Sequence, residues 1–303
     1  MRVLITGACG FAGRYLVREL TAAGHKPYGF GLEPPPNPEF CPVIQGDILD
    51  AAAVAAAIRK IKPDAVVHLA ALTTPAEGAM RAALMISVNI QGTANVLESI
   101  RREAPSARLL AVSSARVYGS RTPDVPIQED DPLTPDSLYA VTKEAADRLT
   151  LQYARELKMS FMTARPHNHT GPGQAESLSV GSFASQFRRM AAGVSPAVLK
   201  VGNLDSARDF LDVRDVVRAY RLLLECGRPG QAYNIASGRQ VSIRMLIDAL
   251  CRLSGIHPTV EVDPDRYRPA DFSAPLDTTR LTTDTGWTTG FTLEDTLREM
   301  LVG

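Results

Sequence analysis

Thr6-Gly7-Ala8-Cys9-Gly10-Phe11-Ala12-Gly13 is the stretch that decides the fold. Before it runs Arg2-Val3-Leu4-Ile5, a short β-branched and apolar segment that predicts a strand. After it, Arg14 to Leu20 places apolar residues at helical spacing. Strand, glycine turn and helix in that order let the backbone close tightly, with the helix N-terminus facing an anion such as a pyrophosphate. The spacing is GxxGxxG rather than the commoner GxGxxG.

Working outward, the alternation of strands and helices continues. A second strand is predicted over Lys26 to Gly31, and a third, short one over Pro42 to Gln45, closed by Gly46-Asp47-Ile48. At the end of the second strand an acidic residue would bond a ribose 2′-hydroxyl and select NAD, and an arginine would accept a 2′-phosphate. This chain has Gly31-Leu32-Glu33 there, so NADH and NADPH both stay open. Asp47 suits either an adenine amino group or a helix N-cap, and Asp50 is the better cap for the alanine-rich helix that runs to Lys60. The strand Ala65 to Leu69 ends in Ala70-Ala71, small enough for a cofactor to lie across it, and His68 reads as a buried strand residue. A long amphipathic helix is expected over Met85 to Arg102, then a strand over Arg108 to Val112 ending in Ser113-Ser114. Phe161 to Ala164 closes the regular alternation.

Between those last strands lies Tyr139-Ala140-Val141-Thr142-Lys143. Positions four apart share a helix face, so Tyr139 and Lys143 point the same way. An ammonium beside a phenol favours tyrosinate and draws its proton below the usual value near ~10. Such a pair suits general acid–base work on a hydroxyl or ketone.

The pattern changes at Arg165. Residues 165–174, RPHNHTGPGQ, are dense in turn formers and polar rings and suit a binding wall. His167 and His169 lack further ligands to complete a metal set. Helices are predicted over Phe183 to Ala192, up to Glu225, over Ile243 to Ser254 and over Leu293 to Leu301, with strands at Ala232 to Ala236 and Pro258 to Val262. The expected organisation is α/β: a doubly wound parallel sheet (Rossmann) formed by residues 1–166 plus about 209–237, and a smaller α/β C-terminal substrate domain formed by 167–208 plus 238–303.

Lysine plus arginine equals aspartate plus glutamate at 33 each, so no net field draws the chain to nucleic acid or an anionic membrane. Anionic ligands must be met by local arginines and backbone amides. Four cysteines without CxxC spacing suit a reducing cytoplasm. No apolar run reaches the ~18 residues of a membrane span, and no basic-then-apolar leader precedes the first strand.

TGACGFAG (6–13), GDILD (46–50), HLAA (68–71), NIQGT (89–93), SSARVYG (113–119), YAVTK (139–143) and RPHNHTGPGQ together resemble the extended short-chain dehydrogenase/reductase superfamily, in its nucleotide-sugar branch. Residues 165–174, 200–215 (KVGNLDSARDFLDVRD) and 268–272 (RPADF) are most similar to GDP-4-keto-6-deoxy-D-mannose reductases, which make GDP-D-rhamnose with NADPH or NADH. The resemblance implies a Ser114, Tyr139, Lys143 triad. It implies cofactor contacts from Gly7, Gly10, Phe11, Ala12 and Gly13, from Asp47 and Ile48, and from Leu69, Ala70 and Ala71. Asn89 and His167 join that set, with Tyr139 and Lys143. The substrate would be a GDP-linked, or other nucleotide-linked, keto-deoxy sugar, met by Thr73, Ser114, Arg116, Asn168, Lys200, Arg208 and Arg268. A homodimer through a four-helix bundle is also implied, matching Val88 to Arg102 and Leu138 to Glu156. Dehydratases on this fold carry an acidic residue just after the hydroxyl residue; here Ala115 and Arg116 stand there. The remaining alternatives are a 4-epimerase, which returns the hydride to the opposite face, and a non-catalytic NAD(P)-binding sensor.

Overall fold

Strand β1 (Arg2–Thr6) enters the glycine turn and leaves it as helix α1 (Phe11–Ala22). The structure, a computed structural model, describes residues 1–73, 81–120, 125–267 and 275–302. Arg268 and the rest of 268–272 lie outside the described residues.

The chain continues through β2 (Lys26–Gly31), β3 (Val43–Gln45), α2 (Ala51–Ile61) and β4 (Ala65–His68). Helix α3 (Ala82–Ile86) passes through a π turn (Ser87–Gln91) into α4 (Gly92–Glu103). Then come β5 (Arg108–Val112), a 3₁₀ turn (Ala115–Tyr118), α5 (Leu138–Glu156), β6 (Phe161–Pro166) and β7 (Asn168–Thr170). The last part holds α6 (Ser179–Ala191), β8 (Val198–Val201), β9 (Ala207–Arg208), β10 (Phe210–Asp212), α7 (Val213–Cys226), β11 (Ala232–Ile235), β12 (Val241–Ser242), α8 (Ile243–Ser254), β13 (Thr259–Val262), α9 (Thr279–Thr285) and α10 (Leu293–Val302).

Seven strands form one sheet in the order β11-β6-β5-β4-β1-β2-β3, every pair parallel. Side chains on successive strand residues point to opposite faces. Val3 and Ile5 therefore meet α1 and α7 through Leu16, Leu20, Val216 and Tyr220. Leu4 and Val66 meet α2, α4 and α5 through Ile58, Leu97 and Ala154. Burial on both faces is why these strands read as near-continuous apolar runs. The strand order reverses between β1 and β4, and in open α/β sheets that is where ligands sit, beyond the strands' C-terminal ends. A further core gathers α6, α8, α10 and β8 around Phe183, Phe187, Leu199, Leu250 and Leu297.

The glycines of the turn answer a steric demand. Gly7 has φ +74°, a region that favours glycine. At Gly13 an added Cβ would lie 2.4 Å from the Gly7 carbonyl oxygen and 2.5 Å from that of Ala8. Only glycine lets α1 start this close to the strand that feeds it.

The expected single helix over Met85 to Arg102 is instead two α segments joined by the π turn. Thr93 Oγ1 donates to the Asn89 carbonyl at 2.6 Å across the widened turn, and hydrophobic spacing does not register such an insertion. Helix α6 begins at Ser179, four residues before the first phenylalanine, because its opening Ser-Val-Gly-Ser carries little apolar signal. Helix α9 and strands β7, β8, β9, β10 and β12 are additions to the expected elements. No helix among the described residues is long and apolar enough to cross a membrane.

Gly13→Ala is expected to lower unfolding free energy by about 1–3 kcal/mol, the usual cost of overpacking. The urea midpoint of the purified variant checks this; an unchanged midpoint would mean that α1 can shift outward at no cost.

Candidate active site

Helix α5 opens with Ser137, whose hydroxyl accepts from the Ala140 N–H at 3.3 Å. That cap fixes where the helix starts, and so which face Tyr139 and Lys143 present. Both turn toward the C-terminal end of β5. The Tyr139 phenol is hydrogen-bonded to the Ser114 side chain, and the Ser114 hydroxyl also accepts from the Arg116 N–H at 3.2 Å. Lys143 is 7% exposed and its Nζ donates to the Val112 carbonyl. The three predicted residues are thus brought together at one strand end. Next to them the Ser113 hydroxyl donates to the Lys143 carbonyl at 3.4 Å.

The electrostatics differ from the sequence expectation. Burial pushes the Tyr139 phenol up from its ordinary value, and the Ser114 hydrogen bond and the Arg116 charge only partly oppose it. The ammonium is turned to a carbonyl, so it does not hold the phenol in its ionised form. Burial pushes Lys143 down to about 8, with Asp147 pulling it back up.

A buried polar chain ties this corner to the glycine turn. His68 is driven down to about 3, by burial and then by the Lys143 charge, so it is neutral. Thr93 spends its hydroxyl proton on the Asn89 carbonyl, so His68 Nε2 must be the donor in its 3.0 Å contact with Thr93 Oγ1. His68 Nδ1 then accepts from Thr6 Oγ1 at 2.7 Å, and Thr6 Oγ1 accepts from the Ala70 N–H at 3.2 Å. The Asn89 amide accepts from the Leu72 N–H at 2.9 Å and donates to the Leu72 carbonyl at 3.0 Å and to Thr142 Oγ1 at 2.9 Å. Thr142 in turn donates to the Tyr139 carbonyl at 2.8 Å. Sequence reading placed His68 as a buried strand residue and missed Thr6, Thr93 and Thr142, because a threonine's partner three elements away leaves no local signal.

The glycine turn is built for an anion. Gly10 is the N-cap of α1 without a side-chain cap, so the first N–H groups of the helix stay available. No acidic residue stands in the first helical turn. The segment after β2 folds back on this turn, since the Cys9 thiol donates to the Glu33 and Pro34 carbonyls at 3.6 and 3.4 Å. These features fit a dinucleotide pyrophosphate with an adenosine beside β2.

Other predicted residues have structural partners. Asp47 accepts from the Leu49 N–H at 2.9 Å, while Asp50 caps α2 through the Ala52 and Ala53 N–H groups. Ile48 packs under Gly92, where a Cβ would come within 2.9 Å of it. Phe11 stacks on His169 at 6.3 Å, and Tyr15 donates to the Pro172 carbonyl at 2.7 Å, which fastens α1 to the 165–174 loop. His167 is buried with its N–H on the Ile235 carbonyl at 2.9 Å. Asn168 lies opposite Phe210, and Arg208 opposite Val241. Lys200 is exposed on β8, its main chain held on both sides by Gln186, and Thr73 is exposed after Leu72.

Residues 4–300 match the family described as GDP-mannose 4,6 dehydratase. The chain is 36% identical to GDP-6-deoxy-D-mannose reductase of Pseudomonas aeruginosa, over 99% of this chain and 96% of that one. The solved structure of RMD from Pseudomonas aeruginosa complexed with NADPH superposes with TM-score 0.88 at 34% identity, covering 99% and 97% of the two chains. Thermus thermophilus UDP-glucose 4-epimerase complexed with NAD superposes with TM-score 0.88 at 26% identity, covering 100% and 98%.

Stability should register the cost of the buried ammonium. Lys143 titrates near 8 when folded and near 10.5 when unfolded, so above about 8 the unfolded chain binds the extra proton and stability rises with pH. Lys143→Met should lose that rise. The difference between the two proteins, followed by urea unfolding from neutral pH to ~9.5, should approach ~2 kcal/mol at the most. Parallel pH curves for the two proteins would refute it.

Proposed function

The chain belongs to the GDP-mannose 4,6 dehydratase family of extended short-chain dehydrogenase/reductases, and we propose that it reduces the 4-keto group of a nucleotide-linked 6-deoxyhexulose with NADH or NADPH. The substrate proposed is GDP-4-keto-6-deoxy-D-mannose and the product GDP-D-rhamnose. The observation that carries the reading is the Ser114–Tyr139–Lys143 corner, on a turn that continues as Ala115-Arg116 with no carboxylate. A dehydratase needs an acid or base there, and arginine supplies neither. The Pseudomonas aeruginosa reductase at 36% identity supports the choice of substrate.

The reduced nicotinamide supplies the hydride when bound. This chain's residues do the rest. Tyr139, kept protonated by burial, gives its proton to the oxygen that develops negative charge. Ser114 donates to the same oxygen, a contribution of about 3–4 kcal/mol for one such donor. Lys143 holds the nicotinamide ribose. Gly7, Gly10 and Gly13 leave room for the pyrophosphate beside the open N–H groups of α1. The lobe formed by 167–208 and 238–303 receives the sugar nucleotide, with Asn168 and Arg208 toward its diphosphate or ribose. A chain without net charge needs such local donors.

We also propose a homodimer through a four-helix bundle of α4 and α5 from each copy. Leu84 and Ile86 on α3, which leads through the π turn into α4, and Leu138 and Val141 on α5 support it, since they leave 39%, 44%, 37% and 45% of their surface exposed. An apolar patch of this kind is a docking surface.

Purified protein given GDP-4-keto-6-deoxymannose should consume reduced nicotinamide stoichiometrically, and Tyr139→Phe should cut kcat by ~100-fold or more. Turnover without net cofactor loss would point to epimerisation, and inertness with this sugar but activity on another keto sugar would sink the substrate assignment. Val141→Asp should convert the dimer to monomer in sedimentation velocity; a wild-type monomer, or a dimer untouched by the charge, would remove the bundle.

A further inference from the structure

One buried ion pair behind Lys143 has no part in the scheme above. Asp147 lies one helical turn after Lys143 on the inward face of α5, and both are buried. A carboxylate and an ammonium at i and i+4 normally pair with each other. Here they do not. Lys143 donates to the Val112 carbonyl, and both Asp147 oxygens are held by Arg165 of β6, through Nε at 2.9 Å and Nη2 at 2.8 Å.

Arg165 is fixed in turn. Its Nη1 donates to the Tyr118 hydroxyl at 2.9 Å and to the Glu129 carbonyl at 2.8 Å, and its guanidinium lies over the Tyr118 ring. The Tyr118 hydroxyl donates to Asn234 Oδ1 at 2.8 Å. The side chains of Arg165 and Asp147 are 4% and 0% exposed. A buried pair of this kind is poorly explained as a stabiliser, because well-packed apolar residues commonly do as well. Its position one turn behind a buried ammonium gives it another task.

We propose that Asp147 and Arg165 are positioning residues for Lys143: the fixed carboxylate keeps the lysine an ammonium, and the bidentate arginine prevents that carboxylate from drawing the ammonium off the Val112 carbonyl. The inference rests on the reading that Lys143 serves the reaction from that position. Among the described residues, charge couples Lys143 to Asp147 on α5 and to His68 on β4; Tyr139 lies one turn before it on α5, and Arg165, with Tyr118 and Glu129, stands behind Asp147. His68 is neutral, so the Asp147 carboxylate is the countercharge that acts on the ammonium.

The two partners then have opposite effects. With ¹³C-labelled lysine, the resonances of Lys26, Lys60, Lys62, Lys143, Lys158 and Lys200 can be titrated by NMR, and Lys143 is identified by its loss in Lys143→Met. Asp147→Asn should lower the Lys143 titration by about one pH unit or more and move the alkaline fall of kcat for keto-sugar reduction the same way. Arg165→Met should raise the titration, as the freed carboxylate captures the ammonium, and should lower kcat with little change in KM. Arg165→Lys, which keeps the charge without the planar fork, should recover part of kcat. If the single variants do not fold, the apolar double variant Asp147→Leu, Arg165→Leu decides, with a Lys143 titration below the wild-type value. A titration unmoved in Asp147→Asn or in the double variant, or shifted the same way in both single variants, overturns the proposal. The NMR titration reads it even when no keto sugar is turned over, so its failure is distinguishable from failure of the substrate assignment.

Discussion

The hydrogen bond between Thr6 and His68 joins the C-terminal ends of β1 and β4, the two strands at which the sheet reverses its winding. Much of the site hangs on that joint. From Thr6 the bonding reaches Ala70 and the loop that follows β4; from His68 it reaches Thr93 and, through Asn89 and Thr142, the carbonyl of Tyr139. The π turn belongs to the same chain, because it places the Asn89 carbonyl over Thr93 while the Asn89 amide grips both polar groups of Leu72. Every side-chain donor in the chain finds an acceptor, and a buried network satisfied in this way specifies one geometry without leaving a desolvated donor behind.

That chain is neutral, and its neutrality is part of its work. A charged imidazole at His68 would face the Lys143 ammonium in a buried corner, a repulsion the fold avoids by keeping the ring without its extra proton. Against this background a single ammonium stands beside a phenol that burial holds protonated. The countercharge comes from the opposite direction, from Asp147 clamped by Arg165. Neutral groups thus hold the backbone in place, and the countercharge to Lys143 is fixed from β6.

The large features were legible in the sequence because they are repeated. Strands β1, β2, β4, β5, β6 and β11 and helix α8 fall where apolar spacing places them, and glycine spacing marks the turn into α1. Tyr139, Lys143 and Ser114 meet because helix periodicity and a strand end are local properties. What stayed hidden is non-local or weakly patterned. The π turn keeps the apolar period on both sides of itself and so looks like plain helix. Helix α9, Thr-Arg-Leu-Thr-Thr-Asp-Thr, has poor intrinsic propensity and depends on one buried residue, Leu281, and on Gly286 at its C-terminus. The rise of the Tyr139 phenol could not be read from its lysine neighbour alone, since the sign turns on burial and on where the ammonium points.

The segment Arg208-Asp209-Phe210-Leu211-Asp212-Val213-Arg214-Asp215 shows how the C-terminal elements are held to this frame. Three aspartates recur every third residue and are all buried, a placement that carboxylates tolerate only when fully bonded. Asp209 accepts from the N–H groups of Ser237, Gly238 and Arg239, so it fixes the loop after β11. Asp212 caps α7, chelates Arg214 and accepts from the Thr296 hydroxyl, reaching α10. Asp215 accepts from the Gly290 and Phe291 N–H groups and pairs with Arg218. A β-strand followed by a helix cap turns three evenly spaced side chains in three directions. One short segment therefore holds in place the loop after β11, the turn at Gly290-Phe291 and α10. Arg208, immediately before the first of these aspartates and opposite Val241, stands on backbone that the buried carboxylates fix.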